Sequence, residues 1–144
     1  MITVRKFELA EKHIAAAAFS IRSKVFVEEQ HVSREEEFDE FENTSVHFIA
    51  IIDEQPCGAA RWRKTEKGIK LERFAVLKSF RGNGVGEALL KAALNDVKGK
   101  NLKIYLHAQI SAENFYKKYN FASVGQHFFE ANIEHVVMEY TYPS

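Results

Sequence analysis

Residues 69–94 constrain the fold of this chain more than any other stretch. Ile69–Val76 is a β-like apolar run that leads into the basic, glycine-rich loop Arg81-Gly82-Asn83-Gly84-Val85-Gly86. The loop opens directly into Glu87-Ala88-Leu89-Leu90-Lys91-Ala92-Ala93-Leu94, where apolar residues recur at helical spacing. A second β-run, Leu102–His107, follows. Strand, helix and strand in that order predict a right-handed crossover, with the strands near 70 and 104 parallel. The junction also has a chemical consequence. A glycine loop feeding a helix N-terminus gathers backbone N–H groups, adds the positive end of the helix dipole, and lets a ligand come close. That is the physical recipe for holding a phosphate.

The flanking segments predict what surrounds this unit. Ile2–Lys6 reads as a first strand. Residues 8–28 read as a helix with an apolar stripe of Leu9, Ile14, Ala18, Ile21, Val25 and Phe26. Ser33-Arg34-Glu35-Glu36 resembles a capping box, so a second, short helix starts there. The acidic run Glu35–Glu40 reads as that helix's solvated face. Val46–Ile52, Cys57–Lys64 and Ile69–Val76, separated by turn residues, predict an antiparallel meander. The crossover helix should run from Gly84 to Val97. A short helix over Ala112–Lys118 and strands over Phe121–Val124 and Ile133–Tyr142 complete the chain. The expected class is mixed α/β (α+β), a single domain over residues 1–144 with a meander, a βαβ crossover and a C-terminal hairpin.

Composition excludes several roles. Twenty acidic and twenty basic residues cancel, leaving no global field for nucleic acid or an anionic membrane. The lone Cys57 and six histidines without His-x-x-x-His spacing predict no metal. No apolar stretch approaches the roughly 20 residues needed to cross a bilayer. Met1–Lys6 lacks the apolar run of a secretory signal. With a single thiol, these features point to the cytoplasm.

Three phosphate-binding patterns compete for the glycine loop, beside glycines that merely turn the chain. A P-loop needs Lys-Ser/Thr after its last glycine, and Glu87-Ala88 stands there. A dinucleotide fingerprint needs Gly-x-Gly-x-x-Gly, whereas these glycines fall at 82, 84 and 86. The third pattern, Arg/Gln-x-x-Gly-x-Gly/Ala, is matched by Arg81, Gly84 and Gly86. It resembles the pyrophosphate-binding loop of the GNAT superfamily of acetyl-CoA-dependent N-acyltransferases. A second stretch, Gln109–Phe121, resembles the GNAT segment Asn-x-x-Ala-x-x-Phe-Tyr-x-x-x-Gly-Phe through Ala112, Phe115, Tyr116 and Phe121. It departs from that segment at Gln109 and Asn120. Val25–Gln30 and Ile133–Met138 look like the small bacterial ElaA-like and YjcF-like branch, so the resemblance covers nearly the whole chain.

The resemblance implies acetyl-CoA as co-substrate and a small-molecule or peptide amine as acceptor. It implies that the strand ending Phe74-Ala75-Val76 splays from Leu102–His107. Pantetheine would lie in that split, against the backbone of Phe74, Ala75 and Val76. Gly82, Asn83, Gly84, Val85 and Gly86 would hold the pyrophosphate, with Arg81 at its edge. Gln109 stands where an Asn commonly meets the pantetheine, and Asn114 belongs with these cofactor contacts. Tyr116 matches the Tyr that serves many GNAT enzymes as general acid toward sulfur. Glu72, read as sharing a strand side with Phe74 and Val76, is the leading candidate for the base, with His107 on the facing strand as the other. Cys57 and Tyr119 read as core residues, Trp62 as strand packing, and Lys117 and Lys118 as solvent-facing. Glu28, Glu29 and Gln30 would shape the acceptor pocket and suit a cationic amine. A homodimer is compatible with the sequence. The alternative to an enzyme is a non-catalytic acyl-CoA-binding sensor or partner module.

Overall fold

The meander, the crossover and the hairpin join in one seven-stranded sheet of order β1-β2-β3-β4-β5-β7-β6. The computed structural model describes residues 1–143. The strands are β1 (Ile2–Phe7), β2 (Val46–Ile52), β3 (Gln55–Thr65), β4 (Gly68–Val76), β5 (Ile104–Gln109), β6 (Phe121–Glu130) and β7 (Ile133–Tyr140). The helices are α1 (Lys12–Arg22), α2 (Arg34–Glu37), α3 (Val85–Val97) and α4 (Glu113–Lys117). Every neighbouring pair is antiparallel except β4 and β5, which α3 joins in parallel as the crossover requires.

Two apolar layers flank the sheet. On one face Val85, Leu89, Leu90 and Ala93 of α3 pack against Phe48, Trp62, Leu71, Ile104 and Leu106. On the other, Ala15, Ala18 and Ile21 of α1 pack against Ile49, Ala59 and Ala75. Gly58 permits the close approach of α3. A Cβ there would lie 2.8 Å from Val85 Cγ1 and 2.9 Å from Leu89 Cδ1.

Several expectations shift in detail. The first helix starts at Lys12, after a turn in which Glu8 N–H donates to Glu11 (2.8 Å). Beyond Arg22 it continues as a wider π-helical segment, Ser23–Glu29. The predicted cap forms: Glu36 N–H donates to Ser33 Oγ at 3.2 Å. The acidic run is a solvated face only in part: Glu35, Glu36 and Glu40 are exposed. Glu37 is buried against Arg22, and Asp39 accepts from Arg61. The sixth strand does not stop at Val124. A bulge between Val124 and Phe128, with Gly125 at φ +76°, lets it continue to Glu130.

One irregularity decides the geometry of the site. Ala59 pairs with Ala75 but Arg61 pairs with Glu72, so Arg73 and Phe74 both stand opposite Ala60. Arg73 takes up the extra residue in the left-handed region, at φ +61°. A bulge of this kind shifts the alternation of faces by one. Leu71, Phe74 and Val76 therefore all face α3, while Ala75 faces α1.

Candidate active site

The parallel pairing of β4 and β5 is short. Ile69, Lys70 and Leu71 pair with Ile104, Tyr105 and Leu106, and there the ladder ends. Antiparallel pairing to β7 holds β5 from Tyr105 to Gln109, while the Arg73 bulge bends β4 away. The two strands part like a fork. The β4 edge beyond Leu71 then has no neighbouring strand on the β5 side. Backbone polar groups left so inside a protein need another partner. A cavity of about 1010 Å³ opens at the fork, with Phe74, Val76, His107, Gln109 and Tyr116 on its walls. Ala75 is buried on the opposite face, so only its backbone faces this region.

The glycine loop sits at the end of β4. Gly82 and Gly84 adopt φ +82° and +84°, which L side chains rarely take. Gly84 is the N-cap of α3, and no side chain caps that helix. Its first N–H groups therefore remain available to an anion. Val85 plugs into the core and anchors the loop, while Asn83 braces it by donating to Phe80 O at 3.0 Å. A Cβ on Gly86 would lie 3.6 Å from Phe115 Cζ, so α3 and α4 meet there. Arg81 donates from Nε to Val76 O (3.0 Å) and from Nη2 to Glu29 (2.8 Å). The unpaired edge, the left-handed glycines and the open helix end together suit an extended ligand that carries a phosphate group.

Tyr116 reaches the cavity from α4, packed edge-on to Phe74 (centroids 6.4 Å apart) and Phe121 (5.9 Å). Burial raises its phenol pKa, so the proton stays on oxygen across the physiological range. Tyr119 points elsewhere and gives its hydroxyl to Glu87. Gln109 donates to Gln30 at 2.8 Å, tying the end of the π-helical segment to β5. Asn114 is exposed on α4 and lies outside the cavity lining, as Gly82–Gly86 of the loop also do.

Glu72 does not fit the role expected of it. The Arg73 bulge places it on the opposite face from Phe74 and Val76. It is buried there among cations. Arg61 Nε donates to it at 2.6 Å, Arg63 Nε at 2.9 Å, and Lys70 Nζ lies 3.3 Å away. Burial alone would raise its pKa, but Arg61 and the neighbouring cations outweigh that and lower it. A carboxylate so held is a weak base and a good counter-ion. It belongs to a buried network in which Arg61 also meets Asp39 (2.8 Å) and Glu42 (3.0 Å), and Arg22 meets Glu37 (2.8 Å) and Glu42 (2.7 Å).

Sequence reasoning missed this network. Its signal was present as charges on alternate strand positions, Arg61 with Arg63 and Lys70 with Glu72. It also missed Glu130, whose carboxylate Oε2 accepts from His107 Nδ1 at 3.1 Å. Cys57 is buried in the core, and Trp62 donates to Asp96 at 2.8 Å away from the fork. Lys117 is exposed and pairs with Glu113. Among the described residues no helix is long and apolar enough to cross a membrane.

Comparison with known proteins agrees with this geometry. The family model for the acetyltransferase (GNAT) domain matches residues 9–142. The Bacillus subtilis protein named uncharacterized N-acetyltransferase YjcF is 44% identical over 125 residues, covering 84% of this chain and 88% of that one. The crystal structure of Escherichia coli ElaA superposes with a TM-score of 0.87 at 24% identity, over 98% of this chain and 100% of that chain. An acyl-CoA N-acyltransferase from Pseudomonas aeruginosa gives 0.85 at 24% identity, with the same coverage of 98% and 100%. With a family match over almost its whole length and a relative 44% identical, this chain belongs to the GNAT acetyltransferase family and is an acyltransferase.

Proposed function

We propose that residues 1–144 form one N-acetyltransferase domain that moves an acetyl group from acetyl-CoA to a primary amine by direct attack in a ternary complex. The fork carries this reading: β4 and β5 part after Leu71 and Leu106, beside an uncapped helix start at Gly84 and the phenol of Tyr116. When bound, acetyl-CoA supplies an acyl carbon activated as a thioester.

The chain's own residues do the rest. Backbone N–H groups of Gly82, Asn83, Gly84, Val85 and Gly86 hold the pyrophosphate, and Arg81 adds charge by exchanging Glu29 for it. The free backbone edge at Phe74, Ala75 and Val76 aligns the pantetheine, and one N–H there donates to the acyl oxygen as charge develops on it. Gln109 borders the same channel. Tyr116 holds its proton ready for the departing sulfur. Alignment of the two substrates in the fork supplies much of the rate. The acceptor enters from the side of Glu35 and Glu36, two exposed acidic residues of the cavity lining that favour a cationic amine. Glu29 is engaged with Arg81 and Gln30 with Gln109, so those two shape the pocket without offering free charge.

The test pairs calorimetry of coenzyme A binding with acetyl transfer over a panel of polyamines, aminoglycosides, lysine peptides and neutral amines. The expected result is binding that a Gly84→Val change weakens, together with turnover on at least one cationic amine. Binding without turnover on any amine would replace the enzyme reading with a non-catalytic acyl-CoA sensor.

A further inference from the structure

The register of the fork puts two ionisable side chains at its apex. One step beyond the last pair, Leu71 and Leu106, stand Glu72 on β4 and His107 on β5. Leu71 and Leu106 both face α3, so strand alternation turns Glu72 and His107 to the other face. Glu72 is bound by three cations and is withdrawn from proton chemistry. His107 is differently placed. Both line the cavity, but the His107 ring is held edge-on by Phe128, with centroids 5.0 Å apart, and no cation among the described residues binds it.

Its Nδ1 lies 3.1 Å from Glu130 Oε2. An ionised carboxylate only accepts, so Nδ1 carries a proton, and in the neutral ring Nε2 is the atom with the lone pair. Glu130 reaches this position because the Gly125 bulge prolongs β6. The surroundings of the pair are mixed. From β7, His135 Nε2 lies 3.9 Å from Glu130 Oε1, while its Nδ1 is occupied by Ile133 O at 2.6 Å. From β4, Lys70 acts on Glu130 and Glu72 stands at the apex. On β5 itself Tyr105 packs 6.0 Å from the His107 ring. Arg63 and Arg73 also line the cavity, each already paired with a carboxylate.

We propose that His107 is the general base for the acceptor amine and that Glu130 is the positioning residue that sets its tautomer. The proposal rests on the acetyl-transfer reading. An acceptor arriving as an ammonium ion gives one proton to His107 Nε2, which passes it to solvent. The neutral nitrogen then forms its bond to the acyl carbon as the carbon–sulfur bond breaks and its electron pair leaves on sulfur. Sulfur takes a proton from Tyr116, which regains one through water from the nitrogen's second N–H.

Two measurements test the assignment. In the ligand-free protein, ¹⁵N NMR of the imidazoles should show His107 as the Nδ1–H tautomer, and Glu130→Gln should mix the tautomers. In turnover, His107→Gln should lower kcat/KM at pH 7 by about 10²- to 10³-fold and abolish the acidic limb of the pH profile. Its coenzyme A affinity should stay within about twofold, since no cofactor contact is removed. An Nε2–H tautomer in the wild type, or an acidic limb retained in His107→Gln, overturns the proposal. A wild type that acetylates amines while His107→Gln keeps its limb removes the base alone. A wild type that binds coenzyme A yet acetylates nothing removes the transferase reading and the base with it.

Discussion

Replacing Glu72 by Gln separates a structural counter-ion from a catalytic base in one experiment. The substitution keeps the shape of the side chain and deletes its charge. In the folded protein that charge faces Arg61 Nε at 2.6 Å, Arg63 Nε at 2.9 Å and Lys70 Nζ at 3.3 Å. At an effective dielectric near 20, a pair at these separations attracts by about 5–6 kcal/mol before desolvation is subtracted. Removing one partner of a buried ion pair typically costs about 3–5 kcal/mol, because the surviving charge is left uncompensated. Arg61 retains Asp39 and Glu42, which places the expected loss at the lower end, about 3 kcal/mol. Urea unfolding at pH 7 should therefore show a lower midpoint with an unchanged slope. The pH profile of kcat/KM should keep its shape at temperatures where the variant is folded. A base would behave oppositely: stability within about 1 kcal/mol of the wild type and a rate lower by about 10²-fold or more would refute the counter-ion argument.

Tyr116→Phe should lower kcat by about 10- to 100-fold and leave coenzyme A affinity unchanged, as measured by steady-state kinetics beside calorimetry. Gly84→Val must place a β-branched residue at φ +84°, at a cost of about 1–2 kcal/mol, and should weaken coenzyme A binding at least about tenfold by closing the helix start. Asp39 would be raised by burial, but its hydrogen bonds and charge contact with Arg61 hold it down to about 2. A depressed carboxylate adds stability above its unfolded pKa and loses it as pH falls through the folded value, so Asp39→Asn should flatten the acid limb of stability between about pH 4 and pH 2. Because Asp39 is partly solvated, acid titration followed by circular dichroism should put the difference near 1 kcal/mol at most.

The parts of this molecule that were legible in the sequence are those whose physics is local. Glycines at 82 and 84, followed by helical spacing from Glu87, specify a left-handed loop and a helix start without reference to anything distant. The parallel pairing of β4 and β5 follows from the length of chain between them. Ser33 and Glu36 form their cap within a single turn. The illegible parts depend on one backbone angle or on partners far along the chain. Nothing about Arg73 as a residue type announces φ +61°, because the left-handed region is uncommon for arginine and is imposed here by the pairing of β3 with β4. Yet that angle reverses the faces of the strand. It carries Glu72 away from Phe74 and into the grip of Arg61, and it sits where β4 and β5 part.

The same dependence explains why the acidic run after Ser33 looked like a solvated face. Glu37 and Asp39 face inward only because Arg22, 15 residues away from Glu37, and Arg61, 22 residues away from Asp39, wait there with no water to satisfy them. A buried guanidinium with five donors demands carboxylates, and the chain supplies them from the nearest connecting segment. The consequence for catalysis is that the two apex positions were filled by different constraints. Three cations fix Glu72 as an anion, and the carboxylate that strand alternation made the leading candidate for the base is unfit for proton transfer. His107, met by a single carboxylate at 3.1 Å and lining the cavity, is the apex group that no cation among the described residues holds.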